Sequence, residues 1–188
     1  MKKFELTTEF ITNFLGTKLF RIKALVEFGK VEKGELGGFV EKEENLDHDG
    51  DAWVSGDAWV SGNAWVSGDA RVYGNAMVYG NAWVSGDARV YGNAMVYGDA
   101  RVYGDAWVSG DQMYATVKGF GSEYRNTTFF ITKDGNVCVN CGCFRGTLEQ
   151  FREKVEETHK DTKYAKEYLM IADLMEMHFK EELEKIKK

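Results

Sequence analysis

The chain contains no proline, has only three cysteines and lacks any excess of basic residues. The absence of proline excludes collagen-like and polyproline segments. The three cysteines are crowded between Cys138 and Cys143, which does not match the disulfide framework of a small secreted domain. A net charge of −6 lacks the basic footprint of proteins that bind DNA or anionic lipid. We therefore expect no direct DNA binding and no membrane association.

Long apolar runs are also missing, and charged residues follow directly after the first residue. This pattern predicts neither a transmembrane helix nor a secretory signal peptide. Apolar residues make up 44% of the chain and charged residues 29%, a balance typical of folded proteins. We expect a folded protein located in the cytoplasm.

Glycine, in contrast, is abundant, and it marks a repeat. From Gly50 to Ser109 the chain consists of ten consecutive copies of Gly-(Asp/Asn)-Ala-x-Val-(Ser/Tyr). The segment Gly68–Tyr79 recurs unchanged at Gly86–Tyr97, which is 18 residues or three hexapeptides later. This double period predicts a parallel β-helix with three short strands in each 18-residue coil.

Within each hexapeptide the side chains alternate, so that Ala and Val point inward and the other two strand residues point outward. Gly followed by Asp or Asn forms the corner, because these residues tolerate left-handed backbone angles. We predict a mainly β protein with three parts. Residues 1–49 form a cap and a first partial coil, residues 50–111 form the β-helix, and residues 112–188 form a small α+β extension.

The two end segments carry their own patterns. Alternation from Phe20 to Phe28 predicts a half-buried strand, and Gly37-Gly38 predicts a tight entry to the first coil. Residues 126–144 predict a β-hairpin. Thr147 with Gln150 forms a capping-box pattern at the start of a helix that ends near residue 158. A second helix, from about residue 161, carries one apolar stripe.

The 18-residue coil also predicts which outward residues share a face. The first face stacks Trp53, Arg71, Arg89 and Trp107 beside Ser55, Tyr73, Tyr91 and Ser109. The second stacks Trp59, Met77, Met95 and Met113 beside Ser61, Tyr79 and Tyr97. The third stacks Trp65, Trp83 and Arg101 beside Ser67, Ser85 and Tyr103. Such a large aromatic surface must be covered by the termini, by sister subunits or by a ligand.

The first face is the candidate ligand surface. Its rings could stack a base or a sugar while Arg71 or Arg89 holds a phosphate. Its candidate ligand-binding residues are Trp53, Arg71, Tyr73, Arg89, Tyr91 and Trp107. The alternative is a structural ladder, in which Arg stacks on Trp and pairs with the Asp column along the corner.

The second face is the most apolar and predicts a homo-oligomer interface, because methionine suits adaptable packing. The candidate interface residues are Trp59, Met77, Tyr79, Met95, Tyr97 and Met113.

A second candidate anion site is Arg145, Gly146 and Thr147 at the start of the first C-terminal helix, where backbone N–H groups favour negative charge. Ordinary helix capping is the alternative. Cys138, Cys141 and Cys143 are expected to be buried thiols rather than zinc ligands, since no fourth ligand accompanies them. No Ser/His/Asp or Cys/His set is recognisable, so we predict no catalytic residue, no metal site and no cofactor.

Upstream of the repeat, Leu25-Val26-Glu27-Phe28, the segment from Val31 to Glu41 and Asn45-Leu46 add a more specific signature. With the hexapeptides they resemble a hexapeptide-repeat family of bacterial and bacteriophage proteins, most of them uncharacterised and many labelled hexapeptide transferases. The resemblance covers residues 17 to 111 and implies a left-handed β-helix. Hexapeptide acyltransferases resemble one another in having a catalytic His, often on an extruded loop. No such loop interrupts residues 50–111, and His48 precedes the first full repeat.

These observations favour a non-catalytic, oligomeric binding protein encoded by a phage or prophage. It would sequester a host factor or a nucleotide-type immune signal in the host cytoplasm. A hexapeptide-repeat acyltransferase and a structural spacer or assembly protein are the alternatives.

Overall fold

The computed structural model describes residues 2–186, and these residues divide into two compact units. The first unit comprises the chain up to Asp105 together with Ser109–Asp111. The second comprises Ala106–Val108 and the chain from Gln112 onward. No helix among the described residues has both the length and the apolar composition needed to cross a bilayer.

Three strands precede the repeat, and each hexapeptide then contributes one strand of two residues. The first three strands are β1 (Phe4–Thr12), β2 (Lys18–Ala24) and β3 (Leu36–Val40). The repeat forms β4 (Trp53–Val54), β5 (Trp59–Val60), β6 (Trp65–Val66), β7 (Arg71–Val72), β8 (Met77–Val78), β9 (Trp83–Val84), β10 (Arg89–Val90), β11 (Met95–Val96), β12 (Arg101–Val102) and β13 (Trp107–Val108).

Each strand from β4 to β9 pairs in parallel with the strand three hexapeptides further on. Trp53 lies beside Arg71, Trp59 beside Met77 and Trp65 beside Trp83. This register confirms the predicted 18-residue coil. Alanine and valine of the repeat are buried, and the corner glycine of every copy has a positive φ. The inward and corner positions predicted from the hexapeptide are therefore confirmed.

The N-terminal strands extend one side of the solenoid. Strands β1, β2 and β3 are antiparallel, and β3 then pairs in parallel with β5, giving the sheet order β1-β2-β3-β5-β8-β11. Strand β1 was not predicted, and the predicted strand ends at Ala24 rather than Phe28. At the predicted tight entry to the first coil, Gly37 and Gly38 both lie inside β3. A Cβ atom on Gly38 would lie 2.4 Å from the Ala58 carbonyl oxygen, so glycine is needed for close approach to the coil.

The cap also provides hydrogen-bond donors for the first coil. Each coil donates its N–H groups to carbonyls of the following coil, as from Trp53 N to Ala70 O at 3.0 Å. The carbonyls of the first coil therefore need donors from outside the repeat. The cap supplies donors from both its main chain and its side chains. They include Phe39 N to Ala58 O, Asn45 Nδ2 to Gly62 O and Ala64 O, and Lys3 Nζ to Gly50 O and Ala52 O.

At the opposite edge the polarity is reversed, because the last coils present N–H groups without a following coil. There the Asp111 carboxylate accepts from Met95 N at 2.8 Å. Main-chain and side-chain donors from the cap therefore bind the carbonyls at one edge of the solenoid, and an acceptor side chain binds a main-chain N–H group at the other.

The second unit is a four-stranded antiparallel sheet covered by two helices. Its strands are β14 (Tyr114–Val117), β15 (Thr127–Ile131), β16 (Val137–Cys141) and β17 (Phe144–Thr147), and its helices are α1 (Leu148–His159) and α2 (Lys163–Ile186). The predicted hairpin, capping box and apolar stripe are confirmed. Phe151 of α1 meets Phe129 of β15 with 6.0 Å between ring centroids, which places the core between helix and sheet.

Candidate functional site

Residues of the cap bury part of the predicted ligand surface on the first face. Trp53 is only 2% exposed, because Phe28 and Phe4 lie against its ring at centroid distances of 5.3 and 6.5 Å. A ligand in solution cannot reach this ring. Trp107 lies in β13, within the second unit. The accessible part of the first face therefore begins at Arg71.

Part of the first face lines an open groove of about 650 Å³, which we call the first-face groove, and Tyr91 is not among its lining residues. It brings together Arg71, Tyr73 and Arg89, three of the predicted ligand-binding residues. Its other lining residues are Gly29, Lys30, Ser55, Asp51, Asp69 and Asp87. The three cations and three carboxylates balance, so the groove offers both kinds of charge without a net excess of either.

A ladder of stacked tyrosines ends inside this groove. Tyr73 and Tyr91 stack with 5.1 Å between centroids and 7° between planes. Burial, followed by the neighbouring Tyr91, raises the pKa of Tyr73, so its hydroxyl is neutral. We call each position in this column, one per coil, a rung. The rung one coil before Tyr73 is Ser55, because Trp53 pairs with Arg71. A serine side chain is too small to occupy the place of a third ring.

The second face shows how the chain itself can cover such a position. Its serine rung, Ser61, is buried, and the ring of Phe14 lies 5.9 Å from Trp59 and 6.1 Å from Tyr79. On the first face the neighbouring cap residue is Gly29, which has no side chain. A Cβ atom there would lie 2.7 Å from Asp51 Oδ2 and 2.8 Å from Arg71 Nη2. The open Ser55 rung thus depends on the local shape of the cap.

The predicted interface on the second face is divided between covered and open residues. Trp59 is buried with Leu19 and Phe39, and Met77 and Tyr79 pack against this cluster. Met95 remains partly exposed and Tyr97 is 49% exposed. Met113 does not occupy a strand position in the second-face column, because it lies in the turn Asp111–Met113. Gln112 is too polar for the buried alanine position, so the coil ends there.

At the predicted anion site at the start of α1, the Thr147 hydroxyl and main-chain N–H group already form the hydrogen bonds of helix capping. Thr147 Oγ1 accepts from Gln150 N at 3.2 Å, and Gln150 Oε1 accepts from Thr147 N at 2.9 Å. Gly146 belongs to β17, where it pairs with Val139. Arg145 is exposed and lines a cavity with residues from 122 to 168. Sequence reasoning missed this cavity, because its residues are distant in sequence and follow no single period.

Two further expectations concern cysteine and histidine. Cys138 and Cys141 are half-buried, but Cys143 is exposed, so the buried-thiol prediction is wrong for Cys143. It lies in the short turn between β16 and β17 and lines a cavity of the second unit. The His48 ring stacks on Phe4 at 4.5 Å, its Nδ1 accepts from Lys3 N at 3.2 Å, and its Nε2 lies 3.8 Å from Glu43. These contacts give His48 a structural role in the cap.

Comparison with known proteins adds support for the repeat alone. No curated protein matches the chain. A family model described as YdcK Beta solenoid repeat matches residues 70–86, 88–100 and 96–110. The matched residues run from β7 to β13, so this part of the chain is similar to a β-solenoid repeat family.

Proposed function

We propose that this protein is a non-catalytic binding protein that holds a mononucleotide-type ligand in the first-face groove. The observation that carries the proposal is the Tyr73–Tyr91 stack, which ends at the open Ser55 rung. A planar base above Ser55 would continue the stack at the rung spacing of about 4.8 Å. Stacking of a base on an aromatic side chain contributes about 1–3 kcal/mol.

The charged residues of the groove suit the remainder of a mononucleotide. Arg71 and Arg89 offer guanidinium donors to phosphate oxygens. Asp51 and Asp69 can accept hydrogen bonds from ribose hydroxyls or from an exocyclic amine. Because the lining is neutral in sum, a single phosphate fits better than a polyphosphate, whose further charges would face carboxylates.

The solenoid would hold these groups in place before the ligand arrives. Tyr73 N donates to Val90 O at 3.0 Å and Ser55 N to Val72 O at 2.9 Å, so successive rungs are fixed by main-chain hydrogen bonds. Such preorganisation reduces the entropy lost on binding. A rigid, non-catalytic site suits a protein that sequesters a nucleotide signal in the cytoplasm of a host cell, as a phage or prophage product would.

The proposal includes self-association. The tip of the β1–β2 hairpin exposes Phe14 by 67% and Leu15 by 61%, while Phe10 and Ile11 are also exposed. An exposed apolar patch of this kind favours a protein–protein contact. We assign it to contact between copies of the chain, which would continue the cover that Phe14 already gives to the second face.

Calorimetric titration with adenosine, guanosine, cytidine and uridine 5′-monophosphates tests the groove. Ser55→Tyr extends the tyrosine ladder and should weaken binding at least about tenfold by filling the open rung. Ser85→Tyr is the matched control, because it adds the same ring beside Tyr103 on the third face. Binding is expected to be unchanged in that control.

Two results would overturn this assignment. One is the absence of saturable binding for every mononucleotide, and the other is full affinity in the Ser55→Tyr variant. Acetyl-CoA turnover that His48→Ala abolishes would favour the acyltransferase alternative instead.

A further inference from the structure

The second unit contains a cavity of about 500 Å³ that is separate from the proposed nucleotide groove and is built only from residues 122–168. Its apolar part is formed by Phe144, Phe151 and Val155. Phe144 and Phe151 lie 5.5 Å apart between ring centroids, and Phe151 and Val155 are buried. This volume lies within the range of small-molecule sites, which combine an apolar wall with a few polar groups.

The charged residues around this cavity have the opposite sign from the chain as a whole. Arg125, Arg145 and Lys154 line it together with one carboxylate, Glu123, although the chain carries a net charge of −6. The ion pair of Arg125 with Glu123 is 3.4 Å long, and that of Lys154 with Glu157 is 2.7 Å long. Both pairs are solvent-exposed and therefore weak, so a bound anion can compete for these cations.

Tyr168 adds a polar group that remains neutral. Its hydroxyl oxygen accepts a hydrogen bond from the Cys141 thiol at 3.8 Å, so the proton of the hydroxyl stays available for donation. Burial, reinforced by Cys141, raises the pKa of Tyr168, so the hydroxyl keeps its proton at physiological pH. The phenol can therefore donate a strong hydrogen bond to an oxygen anion.

We propose that this cavity binds a small amphipathic carboxylate. Its apolar, preferably aromatic, body packs against Phe144, Phe151 and Val155. Its carboxylate accepts from the guanidinium groups of Arg125 and Arg145, with the Tyr168 hydroxyl as a further donor.

The chemistry favours a carboxylate over phosphate. A guanidinium group presents paired N–H donors that match the two oxygens of a carboxylate. Inorganic phosphate has no apolar part to gain from the aromatic wall and would lose hydration on entering the cavity. An uncharged apolar ligand would gain no ionic contact with the cations that line the cavity.

Titration of the full chain with 1-naphthoate tests the proposal, and 1-naphthylmethanol is the uncharged control with the same ring. We expect saturable binding of naphthoate and at least about tenfold weaker binding of the alcohol. The double variant Arg125→Gln/Arg145→Gln should weaken naphthoate binding at least about tenfold. The double variant Lys166→Gln/Lys180→Gln removes the same charge from the exposed surface of α2 and should leave affinity unchanged.

A steric variant keeps the test independent of charge. Thr158 lies exposed on α1 at the cavity, so Thr158→Trp fills the space without altering the buried core. We expect this variant to lose naphthoate binding while its circular dichroism is unchanged. Arg71→Gln/Arg89→Gln, in the first-face groove, should not affect naphthoate. The proposal fails if wild type shows no saturable binding, or if the arginine and tryptophan variants both retain wild-type affinity.

Discussion

Asn45 offers a quantitative test of how the cap stabilises the first coil. The residue is fully buried, and its amide makes three hydrogen bonds. Nδ2 donates to Ala64 O at 2.8 Å and to Gly62 O at 3.1 Å, while Oδ1 accepts from Lys42 N at 3.0 Å. Asn45→Leu preserves the approximate volume but leaves all three backbone groups without this partner.

The expected loss follows from the burial of those groups. Each buried polar group left unsatisfied costs about 1–3 kcal/mol. The Ala64 carbonyl bond is buried, whereas the other two bonds are partly buried and can recover some solvation. We therefore expect Asn45→Leu to lower the free energy of unfolding by about 3–5 kcal/mol.

The Asn45→Asp variant distinguishes the hydrogen bonds that the side chain donates from the one that it accepts. The carboxylate can still accept from Lys42 N, but it faces the Gly62 and Ala64 carbonyls with no proton to donate. We expect a loss at neutral pH at least as large as that of the leucine variant. Part of it should be recovered in acid, where the protonated carboxyl group donates one hydrogen bond.

Urea unfolding followed by tryptophan fluorescence measures these differences. Asn75→Leu is the control, because Asn75 is exposed and its side chain donates one bond to Asn93 at 3.0 Å. Its expected cost is below about 1 kcal/mol. A cost for Asn45→Leu that does not exceed that of Asn75→Leu would falsify the capping role.

Two further measurements test the cap. Burial lowers the pKa of Lys3 below the ordinary lysine value of 10.5, so the unfolded chain holds this proton to higher pH than the folded chain. The free energy of unfolding of wild type should therefore increasingly exceed that of Lys3→Met as pH rises toward 10.5. Urea unfolding at each pH measures this difference, and a difference that stays constant or shrinks contradicts the reasoning. If the hairpin tip joins copies of the chain, Phe14→Ser/Leu15→Ser should reduce the mass measured by light scattering to that of a monomer. A wild-type chain that is itself monomeric would refute that contact.

The repeat determined the solenoid of this protein without further information. A period of two within the hexapeptide separates inward Ala and Val from outward residues, and glycine marks each corner. The exact recurrence of Gly68–Tyr79 at Gly86–Tyr97 then fixes which strands stack, since a shifted register would bring corners beside strands. Local rules likewise sufficed for the Thr147–Gln150 capping box, because its two partners are three residues apart.

Only the tertiary structure decided which outward residues are accessible. Trp53 and Ser55 lie on the same face in the same hexapeptide, yet Phe4 and Phe28 cover Trp53 while the Ser55 rung stays open. Lys3 and Asn45 are polar residues whose burial depends on reaching carbonyls far along the chain. The repeat specifies its own stacking through an exact 18-residue period, whereas the cap and the second unit contain no repeat that sets how their elements pack. Their packing depends on contacts between distant segments, and no local pattern in the sequence reports those contacts.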